Sequence, residues 1–136
     1  MSPTISRYPN PRRMTDLGSV LGGGLIGSAA RMGVGELVGS GGSGFPWATL
    51  GVNLVGAALA GFYLARRQRS VWPRWSLGFW AIGALGSFTT FSGFSVEVVR
   101  LTDDGRGWVA VAYVLVSMLG GVLAALIGDS VGRGRS

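Results

Sequence analysis

Four long apolar runs, separated by short polar connectors, constrain this chain more than any other feature. The first extends from about Leu17 to Val38; it is uncharged to Ala30 and then carries Arg31 and Glu36. The second extends from about Trp47 to Ala65, with Asn53 as its most polar residue. The third covers about Ser76 to Val99 and is uncharged up to Val96, and the fourth covers about Gly107 to Gly128 with no charge at all. Each is close to the roughly 20 residues that carry a helix across the hydrocarbon core. Lipid offers a backbone no hydrogen bonds, so segments of this kind fold as helices. The expectation is an all-α integral membrane protein in which residues 17–128 form one domain of four transmembrane helices. Residues 1–16 read as a disordered basic tail and residues 129–136 as a short basic tail. The first run is too long for a cleaved signal peptide, and no cleavage pattern follows it.

Composition agrees. Only 13% of the 136 residues are charged, against about 25% in a typical soluble domain. The 25 glycines suit membrane helices, whose neighbours approach closely. With no Cys and no His, disulfides, thiolate metal sites and imidazole chemistry are excluded. All 12 basic residues are Arg, and the net charge is +6. These arginines sit in connectors between apolar runs, which points to anionic lipid headgroups rather than nucleic acid. Trp47, Trp72, Trp75 and Trp108 lie at run ends, where an indole buries its body and keeps its N–H in the headgroup layer.

With four spans, the N-terminus, the second connector and the C-terminus share one side. That side carries Arg7, Arg12, Arg13, Arg66, Arg67, Arg69, Arg74, Arg133 and Arg135; the other has Arg100, Arg106 and Arg31. The bias places both termini in the cytoplasm of a cell whose plasma membrane the chain crosses.

The third run carries the most chemistry. It reads GALGSFTTFSGFS from Gly83 to Ser95. Gly, Ser and Thr are modest or poor helix formers, and the consecutive Thr89 and Thr90 crowd the preceding turn. One reading is a helix broken between about Gly86 and Thr90, whose freed carbonyls must find partners in protein, water or an ion. Carbonyl and hydroxyl oxygens suit a hard monovalent cation. The other reading is an unbroken helix with small residues at a packing interface. Phe88, Phe91 and Phe94 recur every third residue and would share a face, either for packing or to turn positive ring edges toward an anion.

Asn53 offers two N–H donors to a neighbouring helix or to an anion. Tyr113 and Ser117, four apart, share a face of the fourth run. Gly23 and Gly27 form a GxxxG pair. Arg31 either snorkels to the interface or sits at a vestibule, and Glu97 is its counter-ion or an interfacial residue. No nucleophile–base pair or metal-ligand cluster points to an enzyme.

These segments together resemble the fluoride channel family, Fluc, also called CrcB. The run GGGLIGSAAR is similar to that family's Gly-rich run ending in Arg, and TLGVNLVGAALAG carries Asn53 at the family's Asn position, with Ala48 where Gly is usual. GALGSFTTFSGFSVE resembles the third-span motif, with Gly93 in place of a Thr and Ser87 in place of a common Gly. Tyr113, Ser117 and the Gly120–Gly121 pair fit the fourth span. The resemblance implies a passive, fluoride-selective channel that releases fluoride from the cytoplasm and so lowers its toxicity. It implies two subunits packed antiparallel. Gly86 and Thr89 would give backbone carbonyls to a structural, untransported sodium ion. Asn53, Thr90, Phe91, Phe94, Tyr113 and Ser117 would line the fluoride pathway, with Arg31 near a vestibule. An antiparallel homodimer needs one sequence to insert both ways, and the nine-to-three Arg split instead favours a heterodimer with a homologue of opposite bias. Two other classes stay open: a small four-helix exporter of cationic drugs, which would want a membrane-embedded acid, and a membrane scaffold without transport.

Overall fold

The computed structural model describes residues 11–38 and 44–134. Helix α1 is Pro11–Val38 and α2 is Trp47–Arg69. A nine-residue π-helix, Leu77–Leu85, runs into one α-helical turn, α3, Gly86–Phe88. Helix α4 is Phe91–Asp103 and α5 is Gly107–Arg133. Among the described residues there is no strand. Helix α1 begins at Pro11, inside the stretch read as a tail, and residues 1–10 lie outside the described residues. Proline suits a first helical position, where its missing N–H would have no helical partner anyway. Helix α5 likewise continues past Gly128 to Arg133, where Arg133 pairs with Asp129 one turn back at 2.7 Å.

Among the described residues, three helical stretches are long and apolar enough to cross a membrane: Trp47–Arg69, Leu77–Asp103 and Gly107–Arg133. The sequence reading expects four. Helix α1 has the length, 28 residues, but it interleaves glycines with Asp16, Arg31 and Glu36, which lowers its mean hydropathy.

Close helix contacts rest on glycine. Helices α2 and α5 form the broadest pair, and a Cβ on Gly61 or Gly128 would run into the carbonyls of Ala125 and Ala58 respectively. Helix α1 lies along the π-helix in the same way. A Cβ on Gly23 or Gly27, the GxxxG pair, would strike the Phe79 and Ala84 carbonyls. Between α4 and α5 the turn is closed by Gly105 at φ 72°, with Arg106 N–H donating to Leu101 O at 2.8 Å, a left-handed helix stop that any Cβ would strain.

One buried cluster joins Leu50, Leu101, Ala110 and Tyr113, with Phe94, Leu54 and Phe45 packed around it. Most large apolar side chains face outward, including Leu119, Val122, Leu123, Leu126 and Ile127 along α5. Contiguous apolar surface of this extent belongs against lipid or another subunit.

Candidate functional site

Between Phe88 and Phe91 two residues leave helical geometry. Thr89 has φ −77° and ψ 155°, and Thr90 has φ −143° and ψ 119°. The groups released there find named partners. Thr89 N–H and its hydroxyl both donate to Leu85 O, at 3.1 and 3.0 Å. Thr90 is held by Asn53 across the α2 interface: Thr90 N–H donates to Asn53 Oδ1 at 2.8 Å, and Asn53 Nδ2 donates to Thr90 O at 3.1 Å. One side-chain amide thus takes the Thr90 N–H that a continuous helix would give to the Gly86 carbonyl, and adds a donor to Thr90 O, the N-cap carbonyl of α4. The Thr90 hydroxyl accepts from Gly93 N–H at 3.0 Å and caps α4. Beyond it, the Arg31 Nε donates to Ser87 O at 3.1 Å, placing a cation at the carbonyl end of α3.

An open cavity of about 560 Å³ adjoins this segment. Asn53, Gly86, Thr89, Thr90, Phe91, Phe94 and Ser117 all line it, with Gly56, Ala57, Ala60, Ala81, Leu85 and Met118. Gly56 is required for the close approach of α2, because a Cβ there would meet the Thr89 methyl. The Ser117 hydroxyl is buried and has no hydrogen-bond partner among the described residues. A buried hydroxyl in that state is a donor awaiting a ligand or water. In a continuous helix the Gly86 carbonyl would receive Thr90 N–H, which here goes to Asn53. The Gly86 carbonyl has thus lost its α-helical donor, and a carbonyl oxygen is the kind of group a hard monovalent cation takes.

Tyr113 and Arg31 do not line the cavity. Tyr113 is fully buried beside it, with its ring 5.2 Å from that of Phe94, whose ring in turn lies 5.8 Å from Phe91. Its hydroxyl donates to Glu97 Oε2 at 2.7 Å, while the Thr49 hydroxyl donates to Glu97 Oε1 at 2.6 Å. Glu97 is therefore the acceptor of a three-residue cluster from α2, α4 and α5. Of the two readings of Glu97, counter-ion of Arg31 or interfacial residue, the first is not met: Arg31 donates to Ser87 O, and Glu97 accepts from Thr49 and Tyr113. Sequence reasoning missed Thr49 altogether. Its one available signal was position, four residues before Asn53 and so on the same helix face. The Phe88–Phe91–Phe94 stripe is likewise interrupted, since the extended Thr89–Thr90 pair separates Phe88 from the other two.

Comparison with known proteins settles the lineage. Residues 19–129 match the family described as CrcB-like protein, Camphor Resistance (CrcB). The chain belongs to the CrcB family. Among curated relatives of this CrcB chain is a "Fluoride-specific ion channel FluC" of Thermus thermophilus, 40% identical over 111 residues, covering 81% of this chain and 89% of the relative. The protein of the same name from Magnetococcus marinus is 43% identical over 114 residues, covering 82% and 92%. "Fluoride-specific ion channel FluC 2" of Geobacillus kaustophilus is 38% identical over 107 residues, covering 77% and 83%. The CrcB match includes every residue of the Asn53–Thr90 link, the Glu97 cluster and the cavity wall.

Proposed function

We propose that this protein is a subunit of a fluoride-selective channel that lets fluoride leave the cytoplasm passively across the plasma membrane. The observation that carries the reading is the similarity, over most of the chain, to proteins named for fluoride conduction. The cavity supports it physically. Fluoride holds its water tightly, so a dry path must offer replacement donors. Ser117 supplies an unpartnered hydroxyl, and Asn53 retains an amide N–H beyond the one given to Thr90. Phe91 and Phe94 flank them, and phenyl edges carry partial positive charge.

In this reading α1 is the first of four spans, beside the three apolar stretches, and the extended Thr89–Thr90 pair is a functional interruption of the third. Gly86 and Thr89 would hold a structural sodium ion through backbone oxygens, its charge offsetting the carbonyl ends exposed there. The cavity is open on one side, and a second subunit packed antiparallel would close it. The Arg distribution favours both termini in the cytoplasm and a homologous partner of opposite bias over a second copy of this chain.

Liposomes containing purified protein with its partner subunit, loaded with fluoride or with chloride, test the reading. Fluoride should leave and chloride should stay. Equal efflux of the two ions, or none of either with a correctly inserted dimer, refutes it.

A further inference from the structure

We infer that the end of the molecule built from the α2 C-terminus and the connector 70–76 is a binding site for the headgroup of an anionic phospholipid. Arg66, Arg69 and Arg74 are exposed there, and Arg67 is half-buried beneath them. None of the four is in an ion pair among the described residues. The chain carries no Asp or Glu between Glu36 and Glu97. Asp129, which arrives at this end on α5, is already taken by Arg133. The Arg66 guanidinium lies 5.5 Å over the Phe62 ring, and an Arg69 amino group reaches the Arg133 carbonyl. Neither contact neutralises charge.

The pad beneath these cations is ordered. The buried Ser76 hydroxyl accepts from Arg67 at 2.8 Å and from Tyr63 at 3.1 Å, and donates to Pro73 O at 2.7 Å. Its hydrogen-bonding capacity is filled, so Arg67 is spent on holding the connector against α2. Tyr63 also packs edge-on to Trp72, with ring centroids 5.6 Å apart. Trp72 and Trp75 remain 37% and 45% exposed, and Val71 is fully exposed. Amphipathic indoles and an apolar side chain beside guanidinium groups, at the junction of two apolar helices, match the layered chemistry of a phospholipid. Nucleic acid would not engage the apolar part of that surface. A phosphodiester with net negative charge would find three guanidinium groups without a carboxylate partner, on a prearranged base.

Native mass spectrometry of the full chain, released from micelles doped with phosphatidylglycerol or phosphatidylcholine of identical acyl chains, reads retention directly. Phosphatidylglycerol should be retained and phosphatidylcholine should not. Each neutralised guanidinium should weaken retention about fivefold, so R66Q/R69Q/R74Q together should weaken it roughly 100-fold. R74Q alone should still show its fivefold share; the Arg74 side chain makes no contact that the fold depends on, so this variant keeps the test open should the triple variant misfold. R100Q, at the opposite end, should bind as the parent does. Equal retention of both lipids, unchanged retention in R74Q, or an equal loss in R100Q would overturn the proposal, the last because it would mean diffuse attraction rather than a site.

Discussion

The Asn53–Thr90 link is the contact on which the shape of the third span depends most. Asn53→Ala deletes both of its hydrogen bonds, 2.8 and 3.1 Å long. Leaving a buried donor or acceptor unmade costs about 1–3 kcal/mol. Both groups are only partly buried, so the two losses together should reach roughly 2–4 kcal/mol. The chain can recover part of this by rewinding, because a helical Thr90 N–H would return to the Gly86 carbonyl. That rewinding would abolish the extended pair and close the oxygen cluster at Gly86 and Thr89. Flux should therefore fall further than stability does. Asn53→Asp is the sharper probe: it keeps an acceptor for Thr90 N–H but sets a carboxylate oxygen against the Thr90 carbonyl. It should be at least as damaging as alanine. Thermal unfolding in detergent and fluoride efflux from liposomes measure the two effects separately. If Asn53→Ala unfolds at the parent temperature and conducts at the parent rate, or if Asn53→Asp behaves as the parent does, the link does not hold the segment and the reasoning fails.

Ser117→Ala should reduce fluoride efflux while changing stability by less than about 0.5 kcal/mol, since its hydroxyl has no partner in the protein to lose; a large drop in unfolding temperature would contradict that assignment. Tyr113→Phe leaves one Glu97 oxygen without its donor and should cost about 1–3 kcal/mol, read by thermal unfolding. Gly128→Val forces a side chain onto the Ala58 carbonyl and should destabilise the α2–α5 pair by about 1–3 kcal/mol or more, whereas Gly121→Ala, which meets nothing within 4 Å, should be tolerated; unfolding of the two variants side by side decides it. A reporter fused to the C-terminus should be active only in its cytoplasmic form, and strong activity of a periplasmic reporter as well would favour a homodimer.

Hydropathy and run length alone determined that this chain is helical and bound for a membrane, because lipid admits few backbone solutions and selects them by apolar length. The motif around Thr89 and Thr90 likewise marked the segment where the polar groups of the cavity concentrate. The same reading ended the N-terminal tail at residue 16, where helix α1 already runs from Pro11, and it counted α1 as a span alongside three stretches that are more apolar. Three arrangements were decided by tertiary structure: Asn53 with Thr90, Arg31 with Ser87, and Thr49 and Tyr113 with Glu97. Their partners stand 37, 56, 48 and 16 residues apart in the chain. No local periodicity encodes such pairings. In the sequence Asn53 can be a donor to an ion or, as is commoner, to a neighbouring helix, and Glu97 a counter-ion or an interfacial acid. Only the packing of α2, α4 and α5 brings one particular acceptor within reach. Glycine contacts such as Gly56 against Thr89 bring those helices close enough for the choice to be made.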